Sequence, residues 1–367
     1  MTNQEGTTDN IRVGITHGDI NGIGYEIITK TFLDQRILEN ITPIIFGSSK
    51  VASYHRKALN IKNFNLNLVK SPQQAVAHHT NIVNVTDKEV KIELGKSTTT
   101  GGELAFMALE AAVDALHKDA IDVLVTAPIN KNNIQSDKFS FPGHTEYLAE
   151  RFGEHDDLML MIGNDVRIGV VTGHIPLKKV TEVITEDLLL RKIRILNNSL
   201  IRDFAIEKPR IALLGINPHA GDEGLLGEEE KQTLMPAISK ANEEGILTFG
   251  PYPADGLFGT PNYKKFDGIL AMYHDQGMLP FKALAFNTGV NYTAGLPIIR
   301  TSPAHGTAFE IAGKGLASPE SFREAVYLAY DIYNNRKEHD TLSRNAFAPV
   351  QEDKAAENGP ELNDSNQ

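Results

Sequence analysis

The chain has 367 residues, 41% hydrophobic and 23% charged, with 36 Lys and Arg against 47 Asp and Glu for a formal net charge of −11. An acidic balance leaves no surplus of cations to neutralise phosphates, which argues against a general nucleic-acid binder or a partner of anionic membranes. A small anionic substrate would need a locally cationic pocket. With no cysteine, disulfides, thiolate metal sites and cysteine nucleophiles are excluded. The polar start MTNQEGTTDN lacks the basic and apolar regions of a signal peptide. No apolar run approaches the ~18 residues that span a bilayer. The expectation is a soluble, cytoplasmic protein of about two domains.

Residues 1–10 and 351–367 carry little to bury and are expected to be disordered; the tail QEDKAAENGPELNDSNQ holds five acidic side chains and one lysine. Between them, Ile11–Thr16 and Thr42–Phe46 read as strands. Leu104, Met107, Ala108, Ala111 and Ala115 fall at helical spacing over Leu104–Leu116. Ile121–Thr126 is a continuous apolar run, as in a strand buried on both faces. Leu158–Ile162 and Arg167–Thr172 read as strands, and Thr185 with Glu186 and Asp187 opens a helix to about Phe204. Arg210–Ile216 and Asp267–Tyr273 are further strands, and Ser318, Pro319 and Glu320 start a last helix. This alternation predicts an α/β fold with a largely parallel sheet, arranged as two lobes around a cleft, with ligands beyond the carboxyl ends of strands.

Four histidines stand after strands or in glycine-rich turns: His144 (FPGHTEYL), His174 (VVTGHIPL), His219 (GINPHAGDEG) and His274 (MYHDQGMLPFK). Neutral imidazoles converging from distant strands make a divalent metal site with positions open to substrate. For an isolated histidine, capping a turn or packing near the surface is the commoner role; the repeated strand-end placement favours ligation. His174, His219 and His274 form the better ligand set. His144 and Thr145 stand at a helix start, where free N–H groups suit an anion. Lys282, Asn291 and Arg300 follow His274 at steps of eight, nine and nine residues. The lysine and arginine suit carboxylate or phosphate, and Asn291 suits a hydroxyl. Solvated surface charge is the plainer reading, weakened by the uncharged, turn-rich surroundings.

The turn THGDINGIGYE, with Gly18, Gly22 and Gly24, is a phosphate cradle or a plain tight turn, and it is not the G-x-G-x-x-G fingerprint of dinucleotide folds. In His305–Gly315, HGTAFEIAGKG, small residues bracket Glu310 and would admit a flat adenine or a ribose.

Together TAPINK (126–131), PGHTE (142–146), NPHAG (217–221), YHDQG (273–277) and GLPIIRTSPAHGTAFEIAGKG (295–315) resemble the 4-hydroxythreonine-4-phosphate dehydrogenase family of pyridoxal phosphate biosynthesis, in order from about Val13 to Tyr330. HGTAFEIAGKG is also similar to the cofactor loop of isocitrate and isopropylmalate dehydrogenases, whose fold the family shares. The resemblance implies a two-lobed subunit over 11–345, its lobes interleaved in sequence, and a homodimer with the active site at the interface. It implies a divalent metal held by histidines of both subunits, at positions matched here by His174, His219 and His274. Zinc suits three imidazoles, with magnesium, manganese or cobalt as alternatives. Substrate contacts map to His144, Thr145, Lys282, Asn291 and Arg300. The catalytic candidates are Lys282 and Asp255, which in PADGLF matches an acidic position near the metal. The general base stays open between a lysine, an aspartate and water. NAD, or alternatively NADP, would contact His305, Gly306, Thr307, Glu310 and Gly313. The first turn departs from the family's GDPAGIGPE by losing two prolines. The implied substrate is a phosphorylated hydroxy amino acid. Rival readings are a dehydrogenase of phosphorylated threonate or erythronate or of a dihydrodiol, a metal-dependent hydrolase or acyltransferase on a related fold, and a non-catalytic binding protein.

Overall fold

The computed structural model describes residues 10–153, 156–164 and 166–344. The segments 1–9 and 351–367, where disorder is expected, lie outside the described residues. Asn10 is described, and its Nδ2 donates to the Leu38 carbonyl at 3.3 Å.

Twelve strands form one sheet: β1 (Ile11–Thr16), β2 (Ile41–Gly47), β3 (Asn67–Val69), β4 (Asn81–Asn84), β5 (Val123–Thr126), β6 (Leu158–Gly163), β7 (Val166–Thr172), β8 (Arg210–Leu214), β9 (Leu247–Tyr252), β10 (Gly268–Tyr273), β11 (Val290–Ala294) and β12 (Arg300–Pro303). Their order is β3-β4-β2-β1-β5-β12-β11-β6-β7-β10-β8-β9. Eight neighbouring pairs are parallel and three are antiparallel. The antiparallel pairs, β12–β11, β11–β6 and β6–β7, lie together in the middle. The wings are therefore parallel, as expected, and strand direction reverses across the centre. Short hairpins make this possible, since an antiparallel pair needs no crossover helix. Asn164 (φ 48) and Gly295 (φ 91) supply the left-handed conformations at their turns.

Side chains of successive strand residues point to opposite faces, and the core divides accordingly. On one face a single cluster runs the length of the sheet, through Val13, Val125, Leu160, Tyr292, Leu213 and Met272. Helices Gly24–Phe32, Glu186–Arg202 and Glu320–Arg344 cover it. The other face carries two separate clusters. One packs helix Thr99–His117 on Ile44, Phe46 and Leu124; the other packs helix His274–Ala285 on Ile168, Ala212 and Ile269. Between them the central strands present polar side chains on that face, among them Thr126, Asn291, Arg300 and Ser302, and the cavity described below opens there.

Helix Thr99–His117 starts five residues before Leu104 because Thr98 Oγ1 accepts from Gly101 N at 3.1 Å. Its second glycine is required: a Cβ on Gly102 would lie 1.9 Å from the Asn133 carbonyl oxygen. Helix His274–Ala285 has no counterpart among the predicted elements, since Gly277 and Pro280 interrupt its pattern. Among the described residues no helix is long and apolar enough to cross a membrane.

Candidate active site

The cavity has a volume of about 450 Å³ and lies between the two clusters. Strand ends supply its walls: Thr126 closes β5, Gly173 and His174 follow β7, and His274 follows β10. His144 and Thr145 open helix His144–Arg151 in the same wall, while Asn291 and Arg300 come from β11 and β12 and Lys282 from helix His274–Ala285. All five expected substrate contacts thus border one space.

Arg300 is its electrostatic centre. The side chain is 3% exposed, and burial pushes its pKa down to about 10. Nε and Nη2 both donate to Thr126 Oγ1, at 3.1 and 2.7 Å. Among the described residues it has no carboxylate partner, nor do the exposed Lys131 and Lys282 that share the cavity. A concave space whose cations outnumber its carboxylates attracts an anion. His144 Nε2 is shut from solvent with no partner, and burial, then Arg300 and Lys131, hold this imidazole well below its usual pKa. Asn291 Oδ1 is likewise buried and unpaired. Orphaned buried polar atoms in a cavity wall are satisfied when a polar ligand arrives. Thr145 Oγ1 stands 3.4 Å from Thr293 Oγ1.

The rings of His174 and His274 face each other with centroids 5.5 Å apart. Burial and then Lys131 lower the His174 pKa, favouring the neutral form that binds metals. His274 Nδ1 lies 2.7 Å from Asp275 Oδ1, a contact that fixes ring orientation and frees Nε2. This pair fits two ligands of one divalent ion at about 2 Å nitrogen–metal distances. His219 is not in the cavity wall. It is exposed in the turn Pro218–Gly224, against which the helix bearing the exposed Asp255 packs. Among the described residues no three His, Asp or Glu side chains come together to hold an ion. The expected residues therefore fall into two groups, one in the cavity and one, His219 with Asp255, on a separate surface.

The expected cofactor loop is also divided. His305 and Gly306 line the cavity, and His305 Nε2 is buried without a partner. A Cβ on Gly306 would meet nothing within 4 Å, so open space lies beside it, room for a flat group. Thr307 instead turns its carbonyl to Ile23 N at 3.1 Å, and Gly313 (φ +74) packs by Leu94; neither these nor Glu310 borders the cavity. The turn at Gly18–Gly24 packs on backbone: a Cβ on Gly18 (φ +70) would lie 2.2 Å from the Pro128 carbonyl oxygen. It supports the TAPINK segment.

Four charged cavity residues were not among the expected contacts: Lys131, Glu146, Asp157 and Lys192. Lys131 and Glu146 stood inside TAPINK and PGHTE and were readable there. Asp157 and Lys192 carried no local signal, because only the approach of helix Glu186–Arg202 to the start of β6 joins them. Lys192 Nζ donates to the Asp157 carbonyl, and burial raises the Asp157 pKa and lowers that of Lys192.

A model of the pyridoxal phosphate biosynthetic protein PdxA matches residues 39–329. A 4-hydroxythreonine-4-phosphate dehydrogenase of Bacteroides thetaiotaomicron is 55% identical over 328 residues, 89% of this chain and 90% of that one. The solved 4-hydroxythreonine-4-phosphate dehydrogenase of Klebsiella pneumoniae superposes with a TM-score of 0.76 at 31% identity, over 88% of this chain and 100% of that one. A terephthalate 1,2-cis-dihydrodiol dehydrogenase of Burkholderia xenovorans LB400 gives 0.59 at 28% identity, over 88% and 98%. With the ordered motifs, this extent of agreement means that the chain belongs to the PdxA family of pyridoxal phosphate biosynthetic proteins.

Proposed function

We propose that the chain oxidises 4-phosphohydroxy-L-threonine with NAD to a β-keto acid, which loses carbon dioxide to give 3-amino-2-oxopropyl phosphate on the way to pyridoxal 5'-phosphate. The observation that carries this reading is the cavity, where unpaired Arg300, Lys282 and Lys131 surround the facing His174 and His274. The activity named for the relatives supports it.

Arg300 presents a planar fork, and Thr126 occupies only one edge of it, leaving donors for a bidentate grip on phosphate or carboxylate. Lys282 and Lys131 add charge from the rim. His144, Thr145 and Asn291 orient the substrate through the atoms left unsatisfied in the wall. Much of the rate advantage would come from this fixed geometry and from charge already in place. His174 and His274 of one chain, with His219 of a second copy, would hold a divalent ion, zinc in the first instance with magnesium, manganese or cobalt as alternatives. Asp255 would arrive with His219. When bound, the ion supplies Lewis acidity to the reacting oxygen. NAD, or NADP, supplies the hydride acceptor and would lie against the loop of His305, Gly306, Thr307, Glu310 and Gly313. In this reading residues 11–345 form one two-lobed subunit of a homodimer, and the two clusters flanking the cavity are its lobes.

The test is NADH formation by the pure protein on a panel of alcohols. Turnover of 4-phosphohydroxy-L-threonine above phosphorylated threonate, erythronate and a dihydrodiol is expected. The match to a dihydrodiol dehydrogenase favours that second reading, and preference for the dihydrodiol would establish it instead. Failure to bind NAD would point to a hydrolase or acyltransferase.

A further inference from the structure

Oxidation of an alcohol needs an acceptor for the hydroxyl proton. Asp255 is exposed and outside the cavity wall, and Lys282 as an ammonium has no lone pair to offer. Two carboxylates do line the cavity, Glu146 and Asp157. Asp157 lies beside Lys192, which donates to the Asp157 backbone carbonyl and whose charge, acting on the carboxylate, weakens it as a base.

Glu146 is in a different position. It is the third residue of helix His144–Arg151, after the N-cap Gly143. A glutamate there commonly folds back onto the N-cap N–H. Here no such bond forms. The side chain is half-buried, yet among the described residues it accepts no hydrogen bond and closes no ion pair. A carboxylate in a cavity wall with no donor of its own keeps its oxygen lone pairs open to a ligand. It lines the same cavity as His174, His274 and Arg300, and its charge acts on the His174 imidazole and the Arg300 guanidinium. Lys131 flanks the same point: a Cβ on Gly143 would lie 3.4 Å from Glu146 Oε2 and 3.7 Å from Lys131 Cε.

We propose that Glu146 is the general base of the oxidation. The O–H bond of the secondary alcohol breaks and its proton passes to the Glu146 carboxylate. The O–H electron pair becomes the second bond of the new carbonyl. The C–H pair leaves as hydride to the nicotinamide, which is reduced. Glu146 then releases its proton to water. The inference rests on the dehydrogenase reading above but not on which alcohol is the substrate.

Glu146→Gln keeps the shape and removes the basic oxygen. On whichever alcohol of the panel the wild-type protein oxidises, it should lower kcat by about 10²–10³-fold. KM, and the substrate affinity measured by calorimetry, should stay within about threefold, because the wall cations do the binding. Glu146→Ala should regain activity in proportion to added formate, a small carboxylate that fits the vacated space. Circular dichroism matching the wild type excludes misfolding as the cause. A kcat within about threefold of wild type in Glu146→Gln would overturn the proposal. So would a loss confined to KM, or a Glu146→Ala variant that formate leaves unchanged. If the wild-type protein oxidises phosphothreonate and not the amino acid, the substrate reading fails while the Glu146 result still stands. If it oxidises no alcohol of the panel, both fail.

Discussion

Glu230 offers the sharpest test of how this chain presents His219. It is 3% exposed and accepts from Ile216 N at 2.8 Å, Asn217 N at 2.7 Å and Asn217 Nδ2 at 3.0 Å. The turn it holds puts His219, Ala220, Asp222 and Glu223 in the left-handed region, at φ 53, 52, 44 and 54. Each such residue costs about 1–2 kcal/mol, so the four store about 4–8 kcal/mol. Three hydrogen bonds to a charged acceptor return about 4–9 kcal/mol, which is the same size. With Glu230→Ala, keeping the turn would leave two partly buried N–H donors unpaired, up to about 2–6 kcal/mol on top of strain no longer offset. Relaxing the turn recovers the strain, so the turn should give way before the fold does. Amide exchange over 216–226 should accelerate at least about tenfold, with global stability falling by less than about 3 kcal/mol in urea. Activity should be lost, since His219 no longer projects from a fixed backbone. Unchanged protection of that segment, or outright unfolding, would refute the reasoning.

His17 is fully buried, stacked on Tyr25 at 5.2 Å, and burial lowers its pKa to about 4. Below its unfolded value near 6.5 the unfolded chain binds the extra proton, so stability is lost as pH falls, about 2 kcal/mol between pH 8 and pH 5; urea titrations should show a shallower acid limb in His17→Phe. Arg300→Lys keeps the charge but loses the fork, and kcat/KM should drop roughly a hundredfold, about 2.7 kcal/mol; an effect under about threefold would remove the bidentate role. Arg336 donates to Asp203 at 2.7 Å and to Tyr292 Oη at 2.9 Å inside the core, so Arg336→Met, leaving the buried Asp203 carboxylate without its cation and with only the Ser199 and Tyr292 hydroxyls, should cost about 3–5 kcal/mol by urea unfolding. Mixing inactive His174→Ala and His219→Ala proteins under conditions of subunit exchange should restore roughly a quarter of wild-type activity, because half the dimers are mixed and each has one intact site of two; no recovery would show that the site is not shared.

Much of the cavity was legible because a parallel α/β wing places ligands just past strand ends, and His174 and His274 stand there beside glycine or a first helical turn. His219 was equally legible as a strand-end residue, yet the structure sets it apart from the other two. Nothing in NPHAG encodes that separation, which depends on a run of left-handed residues and a buried glutamate a dozen positions later. The centre of the sheet was hidden for a different reason. VNYTA and RTSP are short strands of mixed polarity, too brief for alternation to stand out. In the fold they alternate up to Ser302: Tyr292 and Thr301 turn to the continuous core, where Thr301 Oγ1 donates to the Ala325 carbonyl, while Asn291, Arg300 and Ser302 turn to the cavity. A buried arginine on a four-residue strand is costly unless a ligand shares its charge. The gap between two hydrophobic clusters is floored by such residues, so the sheet there gives polar groups to a cavity instead of apolar side chains to a core, and a four-residue strand that carries Arg300 has no apolar pattern to mark it.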